Sequence, residues 1–325
     1  MSKLLFIGGF PSGGTDLTKT ILNAHPEIYI NGEMPFLFYL SKFGYNYHSK
    51  FKTIEEINKF KKLLKKFDVW NNLENINYDF SKDFKKYKSI NINYLLRIMF
   101  SSYNSKIWGN KTPQNSENID NLMKIFPDAY FLIVIRDVRD ICLSWNKKWG
   151  RNIFLCSHRY SNRMKKAIEF SKIIEPNHIL FIKFENLLTK TDYTTKKITN
   201  FLDIQWSSKM LEHYKFTNKI IDGKINYGKK INPNTKNKWK KKLSPRKVKK
   251  IEEIAFNTMK LLDYETMYAT RYKNLNLIMK LHGYLHELFC ILFIGNKFSK
   301  KNTFNYRLND IVFEVKKRIY KLRII

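Results

Sequence analysis

Cysteine is scarce in this chain. Cys142, Cys156 and Cys290 are widely separated and form no CxxC pair, which argues against a disulfide framework or a zinc site. No HExxH pattern occurs. Long apolar runs are also missing, since no stretch reaches the ~18 residues that a spanning helix needs. Met-Ser-Lys at the start leads into an apolar run of about five residues, far shorter than a signal-peptide core. These absences point to a cytoplasmic chain. Acid is scarce relative to base: 28 Asp and Glu stand against 60 Lys and Arg, a net charge of +32. Such a surface attracts polyanions, anionic lipid or anionic small molecules. A basic nucleic-acid-binding protein is one reading of that charge. It is opposed by lysines spread along the chain, by a Lys-, Asn- and Ile-rich background and by the lack of a reader motif. No specific nucleic-acid partner is expected.

Apolar bulk is what the chain has. It is 43% hydrophobic and 15% aromatic over 325 residues, enough for one sizeable core or two modest ones. Leu4–Gly8 reads as a buried strand and Gly9–Gly14 as a tight loop. From Thr15 the pattern is helical until Ala24, just ahead of Pro26. Helices are expected over Ile54–Phe67, Tyr94–Tyr103, Ile119–Phe126, Val138–Trp149, Thr191–Leu202 and Ser244–Leu262, the last with Ser244 as its N-cap. Ile107–Trp108, Ala129–Ile135 and Ile179–Phe184 read as strands, with a turn at Asn110–Pro113. Alternating strands and helices predict an α/β fold, a mostly parallel sheet flanked by helices in three P-loop-like layers. Residues 1–265 are expected to form one domain with a helical insertion near 45–105, and 266–325 a basic helical C-terminal extension. Leu275–Ile294 is apolar but interrupted by polar residues. It reads either as a packed helix or as one resting on a membrane surface, which would associate the chain peripherally with lipid.

The Gly9–Asp16 loop places backbone N–H groups and a helix N-terminus together, a geometry that binds phosphate. It does not complete a triphosphatase loop. Thr15 stands where that motif needs lysine and Asp16 where it needs the magnesium-binding hydroxyl. A metal-dependent nucleotide kinase is therefore the weaker enzyme reading.

The ordered set Phe6–Leu17, Ile21–Glu27 with Gly32-Glu33, Trp108–Pro113 and Phe131–Ser144 resembles the sulfotransferase superfamily that uses 3′-phosphoadenosine 5′-phosphosulfate (PAPS), in the branch similar to protein-tyrosine sulfotransferases. The resemblance spans residues 4–262 and includes Ile182–Leu187 and the late basic stretch Asn237–Ser244. It implies that Pro11, Ser12, Gly13, Gly14, Thr15 and Asp16 hold the 5′-phosphosulfate. It likewise implies that Arg136 and Ser144 grip the 3′-phosphate, with Lys148 nearby, that Phe184 lies beside the adenine and that Lys238 closes over the nucleotide. Ser12 departs from the family's usual Arg or Lys, and Phe184 from its Tyr. Glu33 is expected as the general base for an acceptor hydroxyl, with His25 as the alternative, and Lys111 as the cation at the transferring sulfuryl group. The catalytic serine of the protein-tyrosine branch has no clear counterpart, Gly223 standing near its place. PAPS is the expected co-substrate, PAP the product, a hydroxyl compound the acceptor, and no metal is needed.

Overall fold

A computed structural model of the chain describes residues 3–65, 78–100, 105–216 and 229–290. In chain order its strands and helices are β1 (Lys3–Gly9), α1 (Thr15–Leu22), β2 (Ile28–Asn31), β3 (Lys50–Phe51), α2 (Ile54–Lys65), α3 (Ser81–Lys86), β4 (Ile90–Asn91), α4 (Ile92–Phe100), β5 (Ile107–Lys111), α5 (Ile119–Met123), β6 (Tyr130–Ile135), α6 (Val138–Trp149), α7 (Ile153–Ser171), β7 (Ile179–Lys183), α8 (Phe184–Thr189), α9 (Thr191–Leu202), α10 (His213–Phe216), α11 (Trp239–Lys242), α12 (Pro245–Leu261) and α13 (Leu277–Phe289). The described residues cluster into two compact units. One holds the chain up to Ile135 together with Lys166–Ile231, the other Arg136–Lys165 together with the chain from Asn232.

The first unit is built on a parallel sheet of order β2-β5-β1-β6-β7. Its strands are apolar on both faces because helices cover both. Leu5 and Ile7 of β1 join Ile21, Leu22, Ile30, Val134 and Ile198 in one cluster. Phe6, pointing the other way, stacks on Phe131 at 5.6 Å and meets Phe126 at 5.5 Å. The chain leaves β1 toward β2 and β5, then crosses to β6 and β7, so the strand order switches direction at the C-terminal end of β1. Open α/β sheets bind their ligands at such a point. Register pairs Ile7 with Lys111 and Asn31 with Asn110, placing the ends of β1, β5 and β2 on one edge. The segment predicted as an insertion carries its own aromatic contacts, Tyr45 on Phe60 at 4.9 Å and Phe51 on Phe60 at 5.3 Å.

The second unit has charge at its centre. Arg139 donates to Asp137 Oδ2 at 2.8 Å and to Glu252 Oε1 at 2.6 Å, and its guanidinium lies 3.9 Å from the Trp239 ring centre. Fully buried Glu252 also accepts from the backbone N–H groups of Met267, Tyr268 and Ala269 at 2.8–3.0 Å. Asp140 accepts from the amides of Asn237 at 2.7 Å and Trp239 at 3.0 Å, fixing the late basic stretch to α6.

Several local expectations need correction. Asn110 and Lys111 belong to β5 and not to a turn, because their backbone still pairs with β1 and β2. Phe184 opens α8 and does not end β7. Ser244 occupies the N-cap of α12, but its side chain makes no capping hydrogen bond. Gly223 lies outside the described residues. Among the described residues no helix is long and apolar enough to cross a membrane.

Replacing Glu252 with Ala removes the partner of three amides and of Arg139. The expected cost is roughly 3–5 kcal/mol, the scale of breaking a buried ion pair. Urea denaturation of the two proteins measures it, and a change under 1 kcal/mol would show that the network is dispensable.

Candidate active site

The loop after β1 is closed by a Gly13 N–H to Phe10 C=O bond of 2.8 Å. Pro11 takes the second position of this turn and Ser12 the third, with φ +66°. A positive φ at that position is what a type II turn demands, usually of glycine. Gly14 caps α1 with φ +101° and no side-chain hydrogen bond. A Cβ at Gly14 would stand 2.1 Å from Cδ2 of Phe184, so both the backbone angle and the space require glycine. The α1 N-terminus thus presents backbone amides at the switch point, and Gly14 at its N-cap has no side chain to cap them.

Lys111 extends from the end of β5 to this helix. Its Nζ donates to Asp16 Oδ1 and to Glu33 Oε1, each at 2.7 Å. The lysine side chain is 4% exposed, the two carboxylates 37% and 50%. Burial pulls the ammonium pKa down, but Asp16 and Glu33 together outweigh it and hold the value above the ordinary lysine range. Glu33 follows β2, whose parallel run returns the chain to the sheet edge where α1 starts. It is not a helix-start acid: Met34 caps the 3-10 turn Pro35–Phe43, and no acid lies in that turn's first residues.

A buried polar network fixes Lys111 and Glu33 from behind. Thr112 Oγ1 donates to Asn110 Oδ1 at 3.0 Å and accepts from the Met34 N–H at 2.9 Å. Asn115 donates to Asn110 Oδ1 and to the Ile7 carbonyl, both at 3.0 Å. Ser116 donates to the Gly9 carbonyl at 2.9 Å. The spacing Asn110-x-Thr112-x-x-Asn115-Ser116 carries this network. Three or more polar residues directly after a buried strand are the signal that could have found it.

The remaining predicted residues fall as follows. His25 is buried and fully used: its Nε2–H donates to the Gln205 carbonyl at 2.8 Å and Nδ1 accepts from the Glu27 N–H at 3.1 Å. It is a structural histidine, which removes it as the alternative base. Phe184 is 7% exposed and packs against the loop at Gly14. In the second unit Arg136 donates to the Thr235 carbonyl at 3.1 Å and lies 3.9 Å from Asp140 Oδ2. Burial pushes the Asp140 carboxyl up, against the pull of Arg136 and of the Trp239 and Asn237 amides. Ser144 is half-buried in the second turn of α6, Lys148 is exposed near the end of that helix, and Lys238 is exposed at the start of α11.

An open parallel sheet with an anion-binding loop at its switch point, and a lysine held between two carboxylates beside it, defines an α/β enzyme for an anionic substrate. The model of the sulfotransferase family matches residues 5–208, and the chain belongs to that family. It is similar to a putative protein-tyrosine sulfotransferase of Caenorhabditis briggsae, 22% identical over 68% of this chain and 72% of the relative. It is also similar to protein-tyrosine sulfotransferase A of Caenorhabditis elegans, 24% identical over 68% of this chain but 55% of the relative. Among solved structures it shares the fold of the sulfotransferase domain of the curacin biosynthetic pathway, with a TM-score of 0.58, 14% identity and 82% and 99% of the two chains covered. The sulfotransferase domain of the Synechococcus PCC 7002 olefin synthase gives a TM-score of 0.56 at 14% identity, over 82% and 95%.

Lys111→Met leaves Asp16 and Glu33 facing each other without a cation. At neutral pH a fall in Tm of roughly 2–4 °C is expected, about 1 kcal/mol for a half-exposed cluster. The sign with pH follows from the raised lysine pKa: its contribution is complete below the unfolded lysine value and fades as pH rises through the folded one. On the alkaline side the gap between the two proteins should therefore persist to about pH 10 and close above it. A gap already closed at about pH 9 would contradict the assignment.

Proposed function

We propose that the chain moves the sulfuryl group of PAPS to an acceptor hydroxyl by in-line displacement, without a metal. The observation that carries this reading is Lys111, set between Asp16 and Glu33 at the sheet edge where the loop opens α1. Backbone amides of Ser12–Asp16 donate to the 5′-phosphosulfate, aided by the partial positive charge of the α1 N-terminus. Arg136 and Ser144 hold the 3′-phosphate, with Lys148 and Lys238 adding positive charge. Phe184 buttresses the loop that carries the donor. Glu33 takes the proton of the acceptor hydroxyl as the new sulfur–oxygen bond forms. Lys111 stabilises the negative charge on the bridging oxygen as its bond to sulfur breaks and PAP departs. The two carboxylates beside the loop already share an ammonium, an arrangement that favours charge balance by lysine over recruitment of a cation. Residues 1–265 form the transferase domain in this reading, with residues near 45–105 shaping the acceptor side and 266–325 as an extension. The relatives' names indicate protein tyrosine, so a phenolic hydroxyl is the first acceptor class to test, before sugar, lipid and small-metabolite hydroxyls.

PAP should raise Tm, and ATP with magnesium should do so much less. Arg136→Ala should weaken PAP by roughly 2–3 kcal/mol, the scale of a charge-assisted hydrogen bond, while adenosine 5′-phosphosulfate, lacking the 3′-phosphate, hardly responds. Calorimetry distinguishes the cases: equal losses for both ligands would make Arg136 structural, and magnesium-dependent stabilisation by ATP would favour a kinase.

Glu33→Gln keeps the shape of the side chain and removes the base. Turnover should fall by roughly two to four orders of magnitude with PAP affinity nearly unchanged. A labelled-PAPS assay on a phenol acceptor reads this, and near-normal turnover would remove Glu33 from the mechanism.

A further inference from the structure

The helix α13 turns its apolar side outward. Leu277, Ile278, Leu281, Tyr284, Leu285, Leu288 and Phe289 are all 43–81% exposed. At 100° per residue they fall within an arc of roughly 140°, along a helix about 20 Å long. No charged residue interrupts that arc, and His282 borders it. Ten of the seventeen large apolar side chains that are exposed among the described residues lie between Met267 and Phe289. Single exposed apolar residues are ordinary, but a contiguous patch marks an interaction surface.

The orientation of the helix is fixed from its other side. Gly283 packs on Leu155 so closely that a Cβ would stand 2.7 Å from its Cγ. Buried Glu287 accepts from Arg159 at 2.8 Å and lies 3.4 Å from Arg151. Cys290 Sγ lies 3.3 Å from the Gly150 carbonyl. Rolling the helix to bury its leucines would expose Gly283 and break the Glu287 pairs. The outward apolar face is therefore set by the packing of the second unit.

Charge decides what fits this face. The only acid on α13, Glu287, is buried and paired, so the face offers nothing to a basic partner. The chain carries +32, which opposes a second copy. Residues 291–325 hold nine Lys and Arg against two acids, which opposes that segment as well. Nucleic acid has the right charge but no apolar interior for seven leucine-like side chains. An anionic bilayer has both: headgroups for exposed Arg271, and an acyl boundary for the apolar arc. Exposed Tyr268, Tyr272 and Tyr284 suit the boundary between them. We infer that α13 docks flat on an anionic lipid surface through the face Leu277–Phe289. This inference is independent of the transfer reaction.

Vesicles of phosphatidylcholine with 30% phosphatidylglycerol, and of phosphatidylcholine alone, test it by co-sedimentation of the full chain. The wild type should bind the anionic vesicles at least about tenfold more tightly than the neutral ones. Leu281→Asp with Leu285→Asp changes exposed positions only, so thermal stability and PAP stabilisation should persist while vesicle binding falls about tenfold or more. Unchanged binding by this double variant would reduce the effect to surface lysines and overturn the proposal. Leu285→Cys gives a second reading, because the three native cysteines are buried and a polarity-sensitive label would go to position 285. Emission that shifts blue only on adding anionic vesicles supports lipid docking. Emission already blue in buffer, with or without a dimer in sedimentation equilibrium, would mean that a second copy or the C-terminal segment covers the face, and would overturn it.

Discussion

Lys111 is the residue on which the site depends. Its ammonium sits almost out of solvent at the end of a parallel strand, a position that is costly for an unpaired charge. Two carboxylates remove that cost, and they come from separate elements: Asp16 from the first turn of α1, Glu33 from the segment after β2. The lysine therefore joins three segments, the end of β5, the first turn of α1 and the segment after β2. One positive charge between two negative ones leaves the cluster acidic overall before any donor arrives. In the proposed reaction the incoming phosphosulfate shares the ammonium with at least one carboxylate, and its arrival frees Glu33 for the acceptor's proton, tying acceptor activation to donor occupancy.

The loop beside it carries less charge than the family resemblance implies. Where the sulfotransferase family usually has Arg or Lys, Ser12 stands in a left-handed backbone conformation. The donors left for an anion are backbone amides, oriented by the Phe10–Gly13 turn and by the close contact of Phe184 with Gly14. Amides on a rigid turn need no rearrangement to meet a phosphate, so preorganisation offsets part of a missing side-chain cation. The buried polar chain Asn110–Thr112–Asn115–Ser116 has the same purpose one strand away. It holds the carbonyls of Ile7 and Gly9 and the amide of Met34, so that loop, lysine and glutamate keep one geometry.

The strands β1, β6 and β7, the loop and the order of the motifs were legible in the sequence because they rest on local rules: glycine where φ is positive, apolar runs where both faces are covered, Pro26 where a helix must stop; the short β2, β3 and β4 were not read. Val138–Trp149 and Thr191–Leu202 were read to the residue. What could not be read was which polar groups meet across the sheet. Asp16 was read only as a departure from a triphosphatase loop and as one of the loop residues at the phosphosulfate, and its pairing with Lys111, distant in sequence, was not foreseeable. His25 looked free to act as a base, and only the fold brings the Gln205 carbonyl to its ring. Phe184 looked like the last residue of a strand, since nothing local distinguishes a strand end from a helix start when both bury an aromatic ring. For α13 the sequence left two readings open, a packed helix or one resting on a membrane surface, and the structure turns its apolar side outward. A pattern of apolar residues at helical spacing normally faces a core, and here the glycine and the glutamate take the core side instead.

The same pairing logic reaches the surface. Among the described residues six acidic side chains are buried, Asp83, Asp137, Asp140, Glu252, Glu253 and Glu287, against three basic ones, Lys19, Lys111 and Arg139. Acid is the scarcer charge in the chain, and the fold withdraws more of it than of base. Asp137, Glu252 and Glu287 are satisfied by arginines, and Asp140 and Glu252 also by backbone amides, all inside the second unit. What remains on the outside is more basic than the composition alone states. A surface of that kind raises the local concentration of anions whatever their identity and speeds their encounter at low salt. It does not select among them. In the readings proposed above, selection falls to the few places where shape adds to charge: the start of α1 for a phosphosulfate, and the outward apolar face of α13 for a lipid surface.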